Sequence, residues 1–176
     1  MSTQAENSTQ QEQVQGAARS RALVAYYSRT GVTKTVAEAI AGRLGADLEE
    51  LIDTKSRKGP LGFVIAGKDA LRKKLTQIEP VKKTPADYDL VVIGTPVWAA
   101  TMASAVRTYL SQRGSEMKKV ALFCTQGGSS PGHTLEDMQE LCGKPPVETL
   151  SLRTKTVKSG NFVDAVDAFV ERLKQS

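Results

Sequence analysis

Residues 22–33 read Ala-Leu-Val-Ala-Tyr-Tyr-Ser-Arg-Thr-Gly-Val-Thr, and the fold turns on this stretch. Its first six residues form an almost unbroken apolar run, the pattern of a short strand buried on both faces of a parallel sheet. The run stops at Ser28. From Thr33 onward Val36, Ala37, Ile40, Ala41 and Leu44 recur at helical spacing, and Gly45 supplies the stop.

Outward from this unit the same alternation returns three times. Residues 90–94 read as a buried strand, with Met102, Val106, Tyr109 and Leu110 as the inner face of its helix. Residues 119–124 repeat it, with a helix from His133 or Thr134 through Leu135, Met138 and Leu141 to a stop at Gly143. Residues 147–152 alternate as a strand, and Phe162, Val163, Val166, Phe169, Val170 and Leu173 outline a closing helix begun by Asn161. Residues 47–52 add a strand and residues 61–75 a basic helix. Strands alternating with helices predict an α/β fold, a doubly wound five-stranded parallel sheet in the order 2-1-3-4-5. Ligand chemistry is expected at the carboxyl ends of its strands, where the order reverses.

Composition agrees with one globular domain. The chain has 176 residues, 40% hydrophobic and 24% charged, which excludes fibrous and broadly disordered classes. No apolar run approaches the length of a membrane span. Residues 1–20, rich in Gln, Ser, Thr, Ala and Glu, are expected to form a disordered tail ahead of a domain spanning 21–176. They lack the cationic start and apolar centre of a secretory signal, so a cytoplasmic location is expected. Cys124 and Cys142 read as reduced thiols, and no metal-ligand spacing joins them to His133, the only histidine. The net charge is +5, and Lys55, Arg57, Lys58, Lys68, Arg72, Lys73, Lys74, Lys82 and Lys83 face only Asp69 and Glu79 within their segment. Such a segment is a solvated face or a docking patch for an acidic partner or anionic surface. No nucleic-acid partner is expected.

Three loops fall at the carboxyl edge. The first, Ser28, Arg29, Thr30, Gly31, Val32 and Thr33, opens a helix whose first N–H groups lack intrahelical partners, and with a glycine and three hydroxyls it suits a phosphate. It has one glycine, so it is neither a P-loop nor a dinucleotide fingerprint. The second, Thr95, Pro96, Val97 and Trp98 with residues 99–101, carries the only tryptophan, a flat ring able either to border a planar ligand or to pack beneath the loop. The third, Thr125, Gln126, Gly127, Gly128 and residues 129–130, exposes backbone N–H groups through paired glycines.

Ser28, Thr30, Gly31 and Thr33 match the [ST]-x-T-G-x-T phosphate loop, and together with Gly94-Thr95-Pro96-Val97-Trp98 and Thr125-x-Gly127-Gly128 the chain resembles the flavodoxin-like FMN-binding family, over roughly residues 21–174. Short flavodoxins with a G-T-P-V-W second loop are the most similar subgroup. The resemblance implies FMN as cofactor, its phosphate on the first loop and its ring between the other two, and electron transfer to a redox partner protein. An FMN-dependent NAD(P)H or quinone oxidoreductase of the same fold is the alternative. The chain departs from the family in its basic charge and in Val32, where many flavodoxins have Asn.

Other signals fail on their partners. Residues 128–132 fit G-x-S-x-G, but the sole histidine stands three residues from the serine rather than far downstream. Ser130 stands where a phosphatase loop beginning at Cys124 needs arginine. A receiver domain needs paired carboxylates where Tyr26, Tyr27 and Ser28 stand, and an aspartate at Thr95.

Overall fold

The computed structural model describes residues 21–54, 64, 67–70, 72–128 and 130–176. In chain order the elements are β1 (Ala22–Tyr26), α1 (Val32–Leu44), β2 (Asp47–Glu50), β3 (Leu90–Trp98), β4 (Thr101–Met102), α2 (Ser104–Arg113), β5 (Lys119–Gln126), α3 (Thr134–Cys142), β6 (Thr149–Arg153), α4 (Thr154–Lys158) and α5 (Val163–Gln175). Five strands form a parallel sheet in the order β2-β1-β3-β5-β6, and β4 folds back on β3. Counted without β4, this is the expected order. Register pairs Ala22 with Leu90, Leu90 with Lys119, and Leu122 with Thr149.

The period-2 side-chain alternation of the strands divides the core between the two faces. Leu23, Ala25, Val91, Ile93, Val120 and Leu122 meet Val106, Tyr109, Leu110 and Met138 from α2 and α3. Val24, Tyr26, Val92, Ala121 and Phe123 meet Val36, Ile40, Val166, Phe169 and Val170 from α1 and α5. Gly45 ends α1 at φ 63°, its N–H bonded to the carbonyl of Ala41, and Gly143 ends α3 at φ 66°. Cys124 is wholly buried beside Ser151, and burial pushes its thiol up; burial likewise pushes Cys142 up to about 11.

The structure corrects several expectations. The second buried strand continues through Trp98 rather than ending at Gly94, because β3 and β4 close a hairpin in which Val97 pairs with Met102 and Trp98 with Thr101. Met102 therefore lies on that hairpin and not on the inner face of α2. Ala99 and Ala100 at its tip have φ 47° and 63°. A two-residue hairpin demands these left-handed angles, but the usual signal is Asn or Gly, so Ala-Ala concealed the turn. β2 ends at Glu50 instead of Ile52, and β5 continues to Gln126. β6 is shifted to Thr149–Arg153, α4 is an additional helix, and Phe162 rather than Asn161 caps α5. The expected tail at 1–20, and residues 55–63, 65, 66 and 71 of the basic segment, lie outside the described residues. Residues 67–70 are helical, and the chain turns at Lys73 with φ 52°, before the expected end at Leu75. Among the described residues no helix is long and apolar enough to cross a membrane, and no cluster of three or more His, Cys, Asp or Glu fits a metal.

Candidate functional site

Parallel strands deliver the loop after β1, the end of β3 with its hairpin, and the end of β5 with the glycines that follow to one edge of the sheet, and the three meet around a groove of about 210 Å³. On the α1 side it is lined by Arg29, Thr30, Val32 and Thr33; across it stand Pro96, Val97 and Trp98 of the hairpin, with Thr125 and Gly127 between. Among the described lining residues Arg29 alone is ionisable, so the groove presents positive charge and hydroxyls without a carboxylate.

The α1 end has the form an anion needs. Gly31 is the N-cap at φ 88° and ψ −18°; among the described residues no side chain caps the helix, and its first turn holds no acid. Unspent N–H groups and the positive end of the dipole therefore face outward from a 13-residue helix. Ser28 accepts the N–H of Gly31 through Oγ at 3.2 Å, and the Oγ1 of Thr35 donates to the carbonyl of Gly31 at 3.1 Å, so the turn is fixed from both sides. The hydroxyls of Thr33 and Thr125 share a hydrogen bond of 2.8 Å, tying the start of α1 to the end of β5. Both residues are buried.

The hairpin wall is held from behind. Thr95 is fully buried, donates through Oγ1 to the carbonyl of Pro96 and accepts the N–H of Ala103, each at 3.0 Å. It fastens the hairpin base instead of facing the groove. Trp98 is only 7% exposed and meets Tyr27 edge-on, with ring centroids 5.4 Å apart. It is thus a core ring whose rim reaches the groove, not a free stacking platform. At the tip, His133 donates its N–H to the carbonyl of Ala100 at 3.0 Å, and Gly132 packs so closely that a Cβ there would lie 2.4 Å from that oxygen. Beneath Thr101, the buried Arg107 donates to Thr101 Oγ1 (2.8 Å) and to Asp137 (3.2 Å), while the Thr101 hydroxyl donates to Asp137 (2.6 Å) and Lys73 pairs with Asp137 at 3.1 Å. Burial opposes ionisation of Asp137, but the hydrogen bonds from Thr101, Lys73 and Arg107 outweigh it and hold the carboxyl below its ordinary range.

Of the sequence candidates, Ser28, Gly31, Thr95, Gln126 and Gly128 adjoin the groove without lining it. Gln126 is buried, and among the described residues its Oε1 has no hydrogen-bond partner. Ser129 lies outside the described residues. Thr154, the first residue of α4, also lines the groove and was not among the candidates. The only signal for it is its place directly after the last sheet strand, where the chain regains the carboxyl edge. A wider hollow of about 600 Å³ lies elsewhere, between residues 75–81 and Tyr109, Gln112 and Arg113, and includes none of the three loops.

Among solved structures, the chain is similar to a flavoprotein from Lactobacillus acidophilus in complex with FMN, at 24% identity and a TM-score of 0.64, covering 80% of this chain and 97% of that one. A Bacteroides eggerthii protein matches at 24% and 0.62, covering 84% and 98%. The flavodoxin, WrbA-like protein from Agrobacterium tumefaciens matches at 16% and 0.51, covering 85% and 99%. At such identities these likenesses establish a shared fold. A model of the flavodoxin family matches residues 64–172, more than half of the chain, and the chain therefore belongs to the flavodoxins, a family of FMN flavoproteins.

Proposed function

We propose that the chain binds one FMN in the groove and works in electron transfer. The phosphate lies against Thr30, Thr33 and the N–H groups opening α1; the ring lies between the hairpin of residues 96–98 and the glycines at 127 and 128. The reading is carried by one observation: the carboxyl ends of three separate strands converge on a single groove whose α1 end is free of acids, uncapped by any described side chain and flanked by Arg29. Gln126, the residue after groove-lining Thr125 in β5, is buried with its Oε1 unpartnered among the described residues, an acceptor left unspent by the fold.

Bound FMN supplies one- and two-electron chemistry, and the protein supplies binding, orientation and electrostatics. Thr33 and Thr125 brace the phosphate turn against β5, Pro96 and Val97 shield the ring from water, and backbone N–H groups of the glycine loop favour charge developing on the flavin. The test is an absorption spectrum of purified protein titrated with FMN and then reduced stepwise. Stoichiometric uptake with a perturbed flavin band is expected; protein that remains colourless refutes the proposal.

Exposed Lys68, Arg72 and Lys74 suit the edge of a docking surface for an acidic redox protein. Reduction by such a partner is then expected to slow as ionic strength rises from low to physiological, because exposed charges are screened beyond about 10 Å at 0.1 M salt. A rate indifferent to salt removes the docking role. Arg29 in the groove favours a second reading, an NAD(P)H or quinone oxidoreductase, since a cation there is congenial to a nucleotide phosphate. Rapid bleaching of the flavin by NADH or NADPH alone in stopped flow selects that reading over a carrier.

A further inference from the structure

We infer that Thr154 is a phosphate-end specificity residue, contributed by a fourth loop, that helps the site distinguish FMN from riboflavin. The inference rests on the groove being the FMN site. Thr154 lines that groove together with Arg29, Thr30 and Thr33. Its position follows from register: β6 runs beside β5 with Leu152 opposite Thr125 and Arg153 opposite Gln126, so the next residue arrives level with Gly127.

The face of the sheet decides which end of the ligand it meets. α4 packs against α1, and its Val157 is buried in the same cluster as Val32 and Val36. The hairpin side belongs to the opposite cluster, which holds Trp98 and Met102. Thr154 therefore stands on the side of the phosphate turn and away from the wall that borders the ring. Its hydroxyl makes no hydrogen bond within the described residues, unlike those of Thr33 and Thr125, which are spent on each other. It is half-buried and held on the β6–α4 junction, so a donor is preorganised there at little entropic cost.

The test is titration of flavin-stripped full-length protein with FMN and with riboflavin, followed by quenching of flavin fluorescence. Thr154→Val keeps the shape and removes the donor. It is expected to weaken FMN binding roughly tenfold, the scale of one hydrogen bond to a charged group, while riboflavin affinity stays within about twofold of wild type, because an uncharged chain end does not demand that bond. Thr154→Ser is expected to restore FMN affinity. Unchanged FMN affinity in Thr154→Val, or equal losses for both flavins, overturns the assignment while leaving the site standing. Wild-type protein that takes up neither flavin overturns the site and the assignment together.

Discussion

Gly31→Val is expected to reduce FMN affinity by roughly a hundredfold or more while leaving the fold intact. Gly31 adopts φ 88° as the N-cap of α1, a region that a β-branched residue enters only under real strain. The penalty is conformational rather than steric, because a Cβ at this position meets no atom of the described residues within 4 Å. Strain of this kind costs about 1–3 kcal/mol, which the chain can relieve by rotating residue 31 out of the left-handed region. That rotation redirects the N–H groups proposed to hold the phosphate and breaks the turn closed by Ser28 and Thr35. Two or three charge-assisted hydrogen bonds of about 1.5–3 kcal/mol each are then at stake. Gly31→Asn is the control, since asparagine tolerates the left-handed region, and it is expected to retain most of the affinity. FMN titrations of both variants, alongside urea midpoints, decide the matter. A valine variant that binds as wild type does would show that the turn does not hold the phosphate.

The fold was readable because β1, β3 and β5 are buried on both faces and so appear as short apolar runs, each followed by a helical period, while the edge strands β2 and β6 are partly exposed and lack such a run. The five parallel strands were legible in their order, with helices α1, α2, α3 and α5. What local residue types do not encode was missed. The hairpin at residues 95–102 has Ala99 and Ala100 at left-handed angles, held there by Gly132, His133 and Asp137, all distant in sequence, together with Arg107 of the next helix. α4 is five residues long, too short to display a period. The first loop was legible as a helix opening because its glycine and hydroxyls act locally. Thr95 and Trp98 sit in the expected loop, yet their burial depends on tertiary partners, Ala103 and Tyr27, that no motif announces. Thr154 was invisible for the same reason: only the register of β5 with β6 brings it to the groove.

Arg107→Met is expected to cost about 2–3 kcal/mol of stability, because it removes the hydrogen bonds that a buried guanidinium makes to a partly buried carboxylate and to a hydroxyl. Set against a typical total of about 5–15 kcal/mol, that loss is large. Arg107 is 6% exposed and reaches both Thr101 and Asp137, whereas Lys73, the remaining cation on Asp137, is 60% exposed and contributes little in water. The substitution leaves a partly buried carboxylate short of one partner directly beneath the hairpin, whose two left-handed alanines need outside support. Because that hairpin is the wall proposed to border the flavin ring, affinities for FMN and riboflavin should fall together, in contrast to the phosphate-specific effect at Thr154. Acid sensitivity provides an independent check. The folded-state pKa of Asp137 is lowered, so its stabilisation is complete above the unfolded carboxylate range and disappears as pH falls through the folded value. Removing Arg107 takes away one cause of that lowering, so the stabilisation held by Asp137 becomes smaller and its acid-side loss, which still begins in the unfolded carboxylate range, is complete at a higher pH than in wild type. A double-mutant cycle with Asp137→Asn measures the coupling directly. Additive losses in the cycle, together with an unshifted acid midpoint, would show that the pair does not brace the hairpin.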